Sequence, residues 1–231
     1  MRETELQLAE LRALVVEPDA PTRSTVFLLH GYDMRPEDLA PFAHTLGVTA
    51  RFVVPEGPVT ASAGRFGWWP IDQERRVAAL TAGPRDLWRE HPAGLDHARR
   101  QLQAAVYAAA TRWGDGPTAL VGFSQGGMLA CDAVCRGELP LAALALLSSS
   151  RIAFDSWREH LDRVAGLPVL VAHGAHDRDL AFSAGEALRD ALADAGAQVS
   201  WVSHGEGHVI PLPVWRALRR FLVEHLSADR A

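Results

Sequence analysis

The 231-residue sequence contains no lysine and no asparagine, and all 23 of its basic residues are arginine. Without asparagine there is no acceptor for N-linked glycosylation. An arginine-only basic set beside abundant alanine fits the coding bias of a GC-rich genome, which bears on origin rather than on function. Cysteine is scarce too, with only Cys131 and Cys135. Their spacing fits neither a zinc site nor a C-x-x-C redox pair, and two free thiols suit the reducing cytoplasm. No apolar run approaches the roughly 20 residues that span a bilayer. The opening stretch 1–10 is charged and polar, and no apolar run follows it as a signal peptide requires. A soluble cytoplasmic protein without stable membrane insertion is therefore expected. A basic block is also missing. The formal net charge is −5, whereas nucleic-acid binding needs clustered positive charge to neutralise phosphates. The pairs Arg75 with Arg76, Arg99 with Arg100 and Arg219 with Arg220 stand in helix-like stretches and read as solvated helix faces.

Hydrophobic residues make up 48% of the chain and charged residues 22%, a globular composition. One domain of this length removes roughly 70–75% of its unfolded surface from water, enough for a core without covalent staples. Short apolar, β-branched runs alternate with helical patterns along the chain. Strands are expected at 11–16, Thr25–Leu29, 51–54, Thr118–Phe123, 141–147, 169–172 and 198–202. Helices are expected at 35–46, Leu95–Trp113, 126–135, 156–164, 183–195 and 214–226. Most of the strands are continuously hydrophobic rather than alternating, as strands covered on both faces of a parallel sheet are. The order implies one doubly wound α/β sheet. Residues 61–94 are the least regular part, with Gly64-Arg65-Phe66-Gly67-Trp68-Trp69-Pro70 at their centre. No repeat, low-complexity tract or linker divides the chain, so residues 1–231 are read as a single domain.

Gly122-Phe123-Ser124-Gln125-Gly126 matches G-x-S-x-G between an expected strand and an expected helix. At such a strand-to-helix turn the serine is strained and its Oγ stands exposed above the sheet edge. Alone, the pattern equally describes a serine N-cap with glycines for close packing. The rest of the chain decides. An α/β-hydrolase fold orders its triad Ser, then Asp or Glu, then His, each in a loop after a later strand. Strand 169–172 runs into His173-Gly174-Ala175-His176-Asp177-Arg178-Asp179, and strand 198–202 runs into His204-Gly205-Glu206-Gly207-His208. Open parallel sheets hold their ligands at these carboxyl ends.

Two residues compete for each partner role. Asp179 adjoins the next helix, which suits capping or exposure, so Asp177 is favoured as the acid. His204 follows its strand too closely to reach over the sheet, so His208 is favoured as the base. His30, His173 and His176 read as hydrogen-bonding residues of tight turns, and the remaining histidines as surface or helix-face residues. Oxyanion donors are expected at the backbone N–H of Gln125, at a helix N-terminus, and of Tyr32, after His30-Gly31. Phe66, Trp68 and Trp69 could wall an apolar acyl site or equally pack beneath a loop. The other tryptophans read as core or helix packing. No tight cluster of His, Asp and Glu suggests a metal.

Leu28-Leu29-His30-Gly31, Gly122-Phe123-Ser124-Gln125-Gly126-Gly127-Met128, His173-Gly174-Ala175-His176-Asp177 and Gly205-Glu206-Gly207-His208 together resemble the phospholipase/carboxylesterase family. That group of small α/β-hydrolases without a large lid includes bacterial carboxylesterases and acyl-protein thioesterases. The resemblance implies hydrolysis of small-molecule carboxylic esters or thioesters with no cofactor. It carries the triad onto Ser124, Asp177 and His208 and the oxyanion donors onto Tyr32 and Gln125. Acyl transfer to another acceptor would use the same triad. A dienelactone-hydrolase-like enzyme typically carries cysteine where Ser124 stands, and a non-catalytic binding module on the same fold would lack an activated serine.

Overall fold

Residues 1–226 are described by the computed structural model, and their secondary structure follows the hydrophobic pattern closely. In chain order the elements are β1 (Arg2–Leu8), β2 (Leu11–Glu17), β3 (Thr25–Leu29), α1 (Pro36–Thr45), β4 (Arg51–Pro55), β5 (Val59–Ser62), β6 (Arg65–Gly67) and α2 (Gln73–Leu80). There follow α3 (Leu95–Trp113), β7 (Thr118–Phe123), α4 (Gln125–Cys135), β8 (Ala143–Leu147), α5 (Phe154–Arg158), β9 (Pro168–Gly174), α6 (Phe182–Asp194), β10 (Gln198–His204) and α7 (Leu212–Leu226). Eight strands form one sheet in the order β1-β2-β4-β3-β7-β8-β9-β10. The contacts from β4 to β10 are parallel, while β2 runs antiparallel to both β1 and β4.

Alternate side chains of each central strand enter opposite faces, as the period of two requires. Phe27 and Leu29 join the layer that contains α3 and α4; Val26 and Leu28 join the layer that contains α1 and α7. Every residue of β3, β4 and β8 is buried, which accounts for their unbroken hydrophobicity. Among the described residues no large separate lid domain covers the sheet, and no helix is long and apolar enough to cross a membrane.

Several elements depart from the sequence expectations. The polar stretch at the amino terminus contains a strand, β1, paired to β2 across a tight turn at Ala9 and Glu10. Only Leu8 of its side chains is buried, so an edge strand that faces water reads as polar coil. The irregular region 61–94 holds the β5–β6 hairpin and α2. The expected helix at 156–164 is broken into α5 and a single 3-10 turn, Leu161–Val164. Arg99 is not solvated: it is buried and bridges Asp96 at 2.9 Å and the fully buried Asp132 at 3.2 Å. Trp157 supplies Asp132 with a further hydrogen bond, from Nε1 at 2.7 Å.

The register sets the position of the site. Leu29 pairs with Gly122, Phe123 with Leu147, Leu147 with Ala172 and Gly174 with His204. The carboxyl ends of β3, β7, β8, β9 and β10 therefore finish along one edge of the sheet, and the loops that leave them are neighbours.

Candidate active site

Ser124 leaves β7 with φ 53° and ψ −117°, a conformation that non-glycine residues adopt only under external constraint. The constraint is visible on both sides. Its N–H donates to Leu147 O at 2.9 Å, and its carbonyl accepts from Gly127 N at 3.0 Å and Met128 N at 3.1 Å. The flanking glycines make the turn sterically possible. A Cβ on Gly122 would lie 2.4 Å from Gly126 O, and one on Gly126 would lie 2.3 Å from Leu29 O. The Gln125 amide begins α4, where the first N–H groups have no intrahelical acceptor.

Two later strands deliver the partners. Asp177 follows β9, and its side chain is fully buried. Its Oδ1 accepts from Asp179 N at 2.8 Å and Leu180 N at 3.0 Å. Its Oδ2 lies 2.6 Å from His208 Nδ1, and His208 Nε2 lies 2.9 Å from Ser124 Oγ. Burial opposes the charge on Asp177, but the His208 bond and charge and the two amides outweigh it, holding the carboxyl below its usual range. With a carboxylate on one side, Nδ1 carries the imidazole proton and Nε2 is free to accept the Ser124 hydroxyl. The Phe123 ring packs against the imidazole, with centroids 5.0 Å apart.

The loop after β3 faces the serine. His30 is wholly buried, and burial lowers its pKa. Its Nε2 accepts from Gly57 N at 3.0 Å, so Nδ1 is the protonated nitrogen and donates to Gly31 O at 2.7 Å. Among the described residues no peptide bond is cis, and in a trans peptide C=O and N–H point in opposite directions. By fixing the Gly31 carbonyl, His30 thus fixes the direction of the Tyr32 N–H.

A cavity of about 770 Å³ opens over Ser124 and His208, lined also by Tyr32, Gln125, Met128 and the segment from Trp69 to Ala93. Of the aromatic segment, Trp69 lines this cavity. Trp68 sits in the core instead, stacked on His30 at 5.1 Å with its indole N–H donating to His30 O at 2.8 Å. Phe66 exchanges backbone hydrogen bonds with Met34 and does not reach the lining. The Gln125 side chain does something that the sequence did not suggest. Its Oε1 accepts from Trp68 N and its Nε2 donates to Trp69 O, at 2.8 and 2.9 Å. The residue after Ser124 thereby pins the aromatic segment to the mouth of the cavity.

Asp179 is neither a helix cap nor solvated. It is paired with Arg76 and Arg85 at the cavity wall. Burial opposes its ionisation, but hydrogen bonds from both guanidinium groups prevail and lower its pKa. His204 ends β10, with burial lowering its pKa. His173 sits behind Asp177, its Nε2 donating to Leu180 O at 3.2 Å. Among the described residues no three His, Cys, Asp or Glu side chains converge as metal ligands.

The family model for Phospholipase/Carboxylesterase matches residues 11–226. The chain belongs to that family. Among solved structures, that of esterase PE8 is similar at a TM-score of 0.80 and 27% identity, covering 94% of this chain and 100% of that one. A carboxylesterase from Mesorhizobium loti has a TM-score of 0.75 and 21% identity, with 95% and 98% of the two chains covered. Acyl-protein thioesterase 2 of Zea mays has a TM-score of 0.76 and 19% identity over 94% and 99%. At those lower identities the likeness is one of fold. A phospholipase/carboxylesterase family member is thus a hydrolase by kinship, with its Ser124 cavity at the sheet edge where α/β folds bind ligands.

Proposed function

We propose that the protein is a serine hydrolase that cleaves carboxylic esters through an acyl-enzyme. The observation that carries the reading is the continuous relay from Asp177 through His208 to Ser124, with links of 2.6 and 2.9 Å, at the base of an open cavity. A nucleophile bonded to a base that is itself oriented by a third group is the signature of activated serine.

The cycle follows from these positions. Ser124 Oγ attacks the ester carbonyl while His208 Nε2 takes its proton. Asp177 keeps the proton on Nδ1 and offsets the imidazolium charge. The carbonyl oxygen becomes an oxyanion, which the Tyr32 and Gln125 amides stabilise; loss of one such donor typically costs about 10²–10³ in turnover. As the tetrahedral intermediate collapses, the C–O bond breaks and His208 gives its proton to the departing alcohol. Water then attacks the acyl-serine with His208 again as base, and the acid leaves as Ser124 regains its proton. Thioesters could follow the same course, with a thiol as the leaving group. Trp69 and Met128 support an apolar acyl site beside the serine, with Trp68 buried against His30.

Labelling with a fluorophosphonate probe tests the reading. A single adduct on the peptide bearing Ser124, abolished in Ser124→Ala, is expected. Absence of labelling in folded wild-type protein would refute an activated serine.

A further inference from the structure

The helix α2 is too weak to hold its own position. It has eight residues, and isolated helices shorter than about 12–15 residues are marginal in water. None of its side chains is buried, and no other element packs extensively against it. Of its larger apolar residues, Val77 is exposed and Leu80 only half-buried. Yet Arg75, Arg76 and Ala79 of this helix line the Ser124 cavity. Of its two side-chain ion pairs, Arg75 with Glu90 is solvent-exposed, and such pairs contribute little. The other, Arg76 with Asp179, is largely withdrawn from solvent.

Asp179 grips more than α2. Its second oxygen pairs with Arg85, and the backbone of Arg85 is sewn to the same loop. Arg85 N donates to Asp179 O at 3.0 Å, and Ala181 N donates to Arg85 O at 2.9 Å. The Asp179 N–H in turn donates to Oδ1 of Asp177 at 2.8 Å. One residue therefore joins the α2 segment, the strand-like segment at Arg85 and the loop that carries the acid.

We propose that Asp179 is a positioning residue that sets the enzyme's preference for ester size. Through Arg76 it holds α2 as a wall of the cavity, where Ala79, Ile71 and Leu87 offer contacts that only the longer apolar part of an ester can reach. The inference rests on the serine-hydrolase reading of the Ser124 site. It asks nothing of the Asp179 side chain in the chemical step, which belongs to Ser124, His208 and Asp177.

The test compares wild type, Asp179→Ala and Arg76→Ala on p-nitrophenyl acetate and p-nitrophenyl octanoate, with limited trypsinolysis alongside. Arg76→Ala changes a helix that buries nothing, so it stays informative if Asp179→Ala fails to fold. The ratio of kcat/KM for octanoate over acetate is expected to fall at least five-fold in each variant, with the loss carried by KM. Because the chain has no lysine, trypsin cuts only after arginine, and cleavage after Arg75 or Arg76 should become at least ten-fold faster in Asp179→Ala. A smaller fall in the ratio, equal losses on both esters, a rise in the ratio, or unaltered cleavage of α2 would overturn the proposal. If wild type is inert on both esters, the hydrolase reading fails instead, and the proteolysis still reports on the clasp.

Discussion

Replacing Asp177 by asparagine alters hydrogen-bond chemistry at almost constant volume, and the structure fixes which way the new amide must face. Asp177 is fully buried, so no water can compensate for a misdirected group. Its Oδ1 accepts two backbone N–H groups, from Asp179 and Leu180. An asparagine must keep its carbonyl oxygen there, since an NH₂ facing two donors would leave all of them unpaired at a cost of about 1–3 kcal/mol for each buried group. The NH₂ group is then turned toward His208 Nδ1, 2.6 Å from the present Oδ2. Two donors cannot meet, and the imidazole answers by moving its proton to Nε2. In that tautomer Nε2 can no longer accept the Ser124 proton. The same exchange in a well-characterised serine protease costs about 10⁴ in kcat, and a comparable loss is expected here. Steady-state hydrolysis of p-nitrophenyl butyrate at neutral pH measures it, with near-ultraviolet circular dichroism to establish that the variant is folded. A loss of less than 100-fold in the folded variant would refute Asp177 as the orienting acid.

Other consequences can be checked on the same protein. Asp177 and Asp179 titrate low in the native state, so unfolding lets them bind protons near their ordinary value of about 3.9. Their contribution to stability is full above that value and is lost as pH falls through the lowered native values. His30 and His173, held low by burial, act in the same direction from about 6.5 downward, because the unfolded state protonates first. Calorimetry between pH 8 and 2 should therefore show Tm declining in two stages, and a flat Tm between pH 7 and 5 would contradict the histidine part. In Gly126→Ala the new Cβ would press on backbone oxygens at 2.3 and 2.6 Å. That should destabilise the fold by about 3 kcal/mol in urea titration. Arg99→Met leaves Asp132 buried without its closest cation, at an expected cost of about 3 kcal/mol. Arg100→Met, on the exposed side of the same helix, should cost less than about 0.5 kcal/mol.

The parts of the molecule that read directly from the sequence are those governed by local chemistry. β3, β7 and β8 are buried on both faces and so appear as unbroken apolar runs. The G-x-S-x-G turn announces itself because only glycine fits at 122 and 126. The loops after β9 and β10 could be assigned because parallel strands end on one edge. What stayed hidden depends on partners distant in the chain. β1 pairs through its backbone while most of its side chains face water, so hydropathy says nothing of it. Asp179 and Arg76 are 103 residues apart, and neither carries a local sign of the other. Arg99 looks like any helical arginine until Asp132 is found beneath it. Trp68 and Trp69 are adjacent and alike in sequence, yet one packs against His30 and the other lines the cavity.

The most direct test of the account is hydrolysis of p-nitrophenyl esters, from acetate to palmitate, by purified wild type beside Ser124→Ala. Turnover by wild type and its collapse in the variant are expected; in a comparable serine enzyme, removing the nucleophile costs about 10⁶ in kcat. Equal activity in the two proteins, or none in wild type on any ester, would contradict the account.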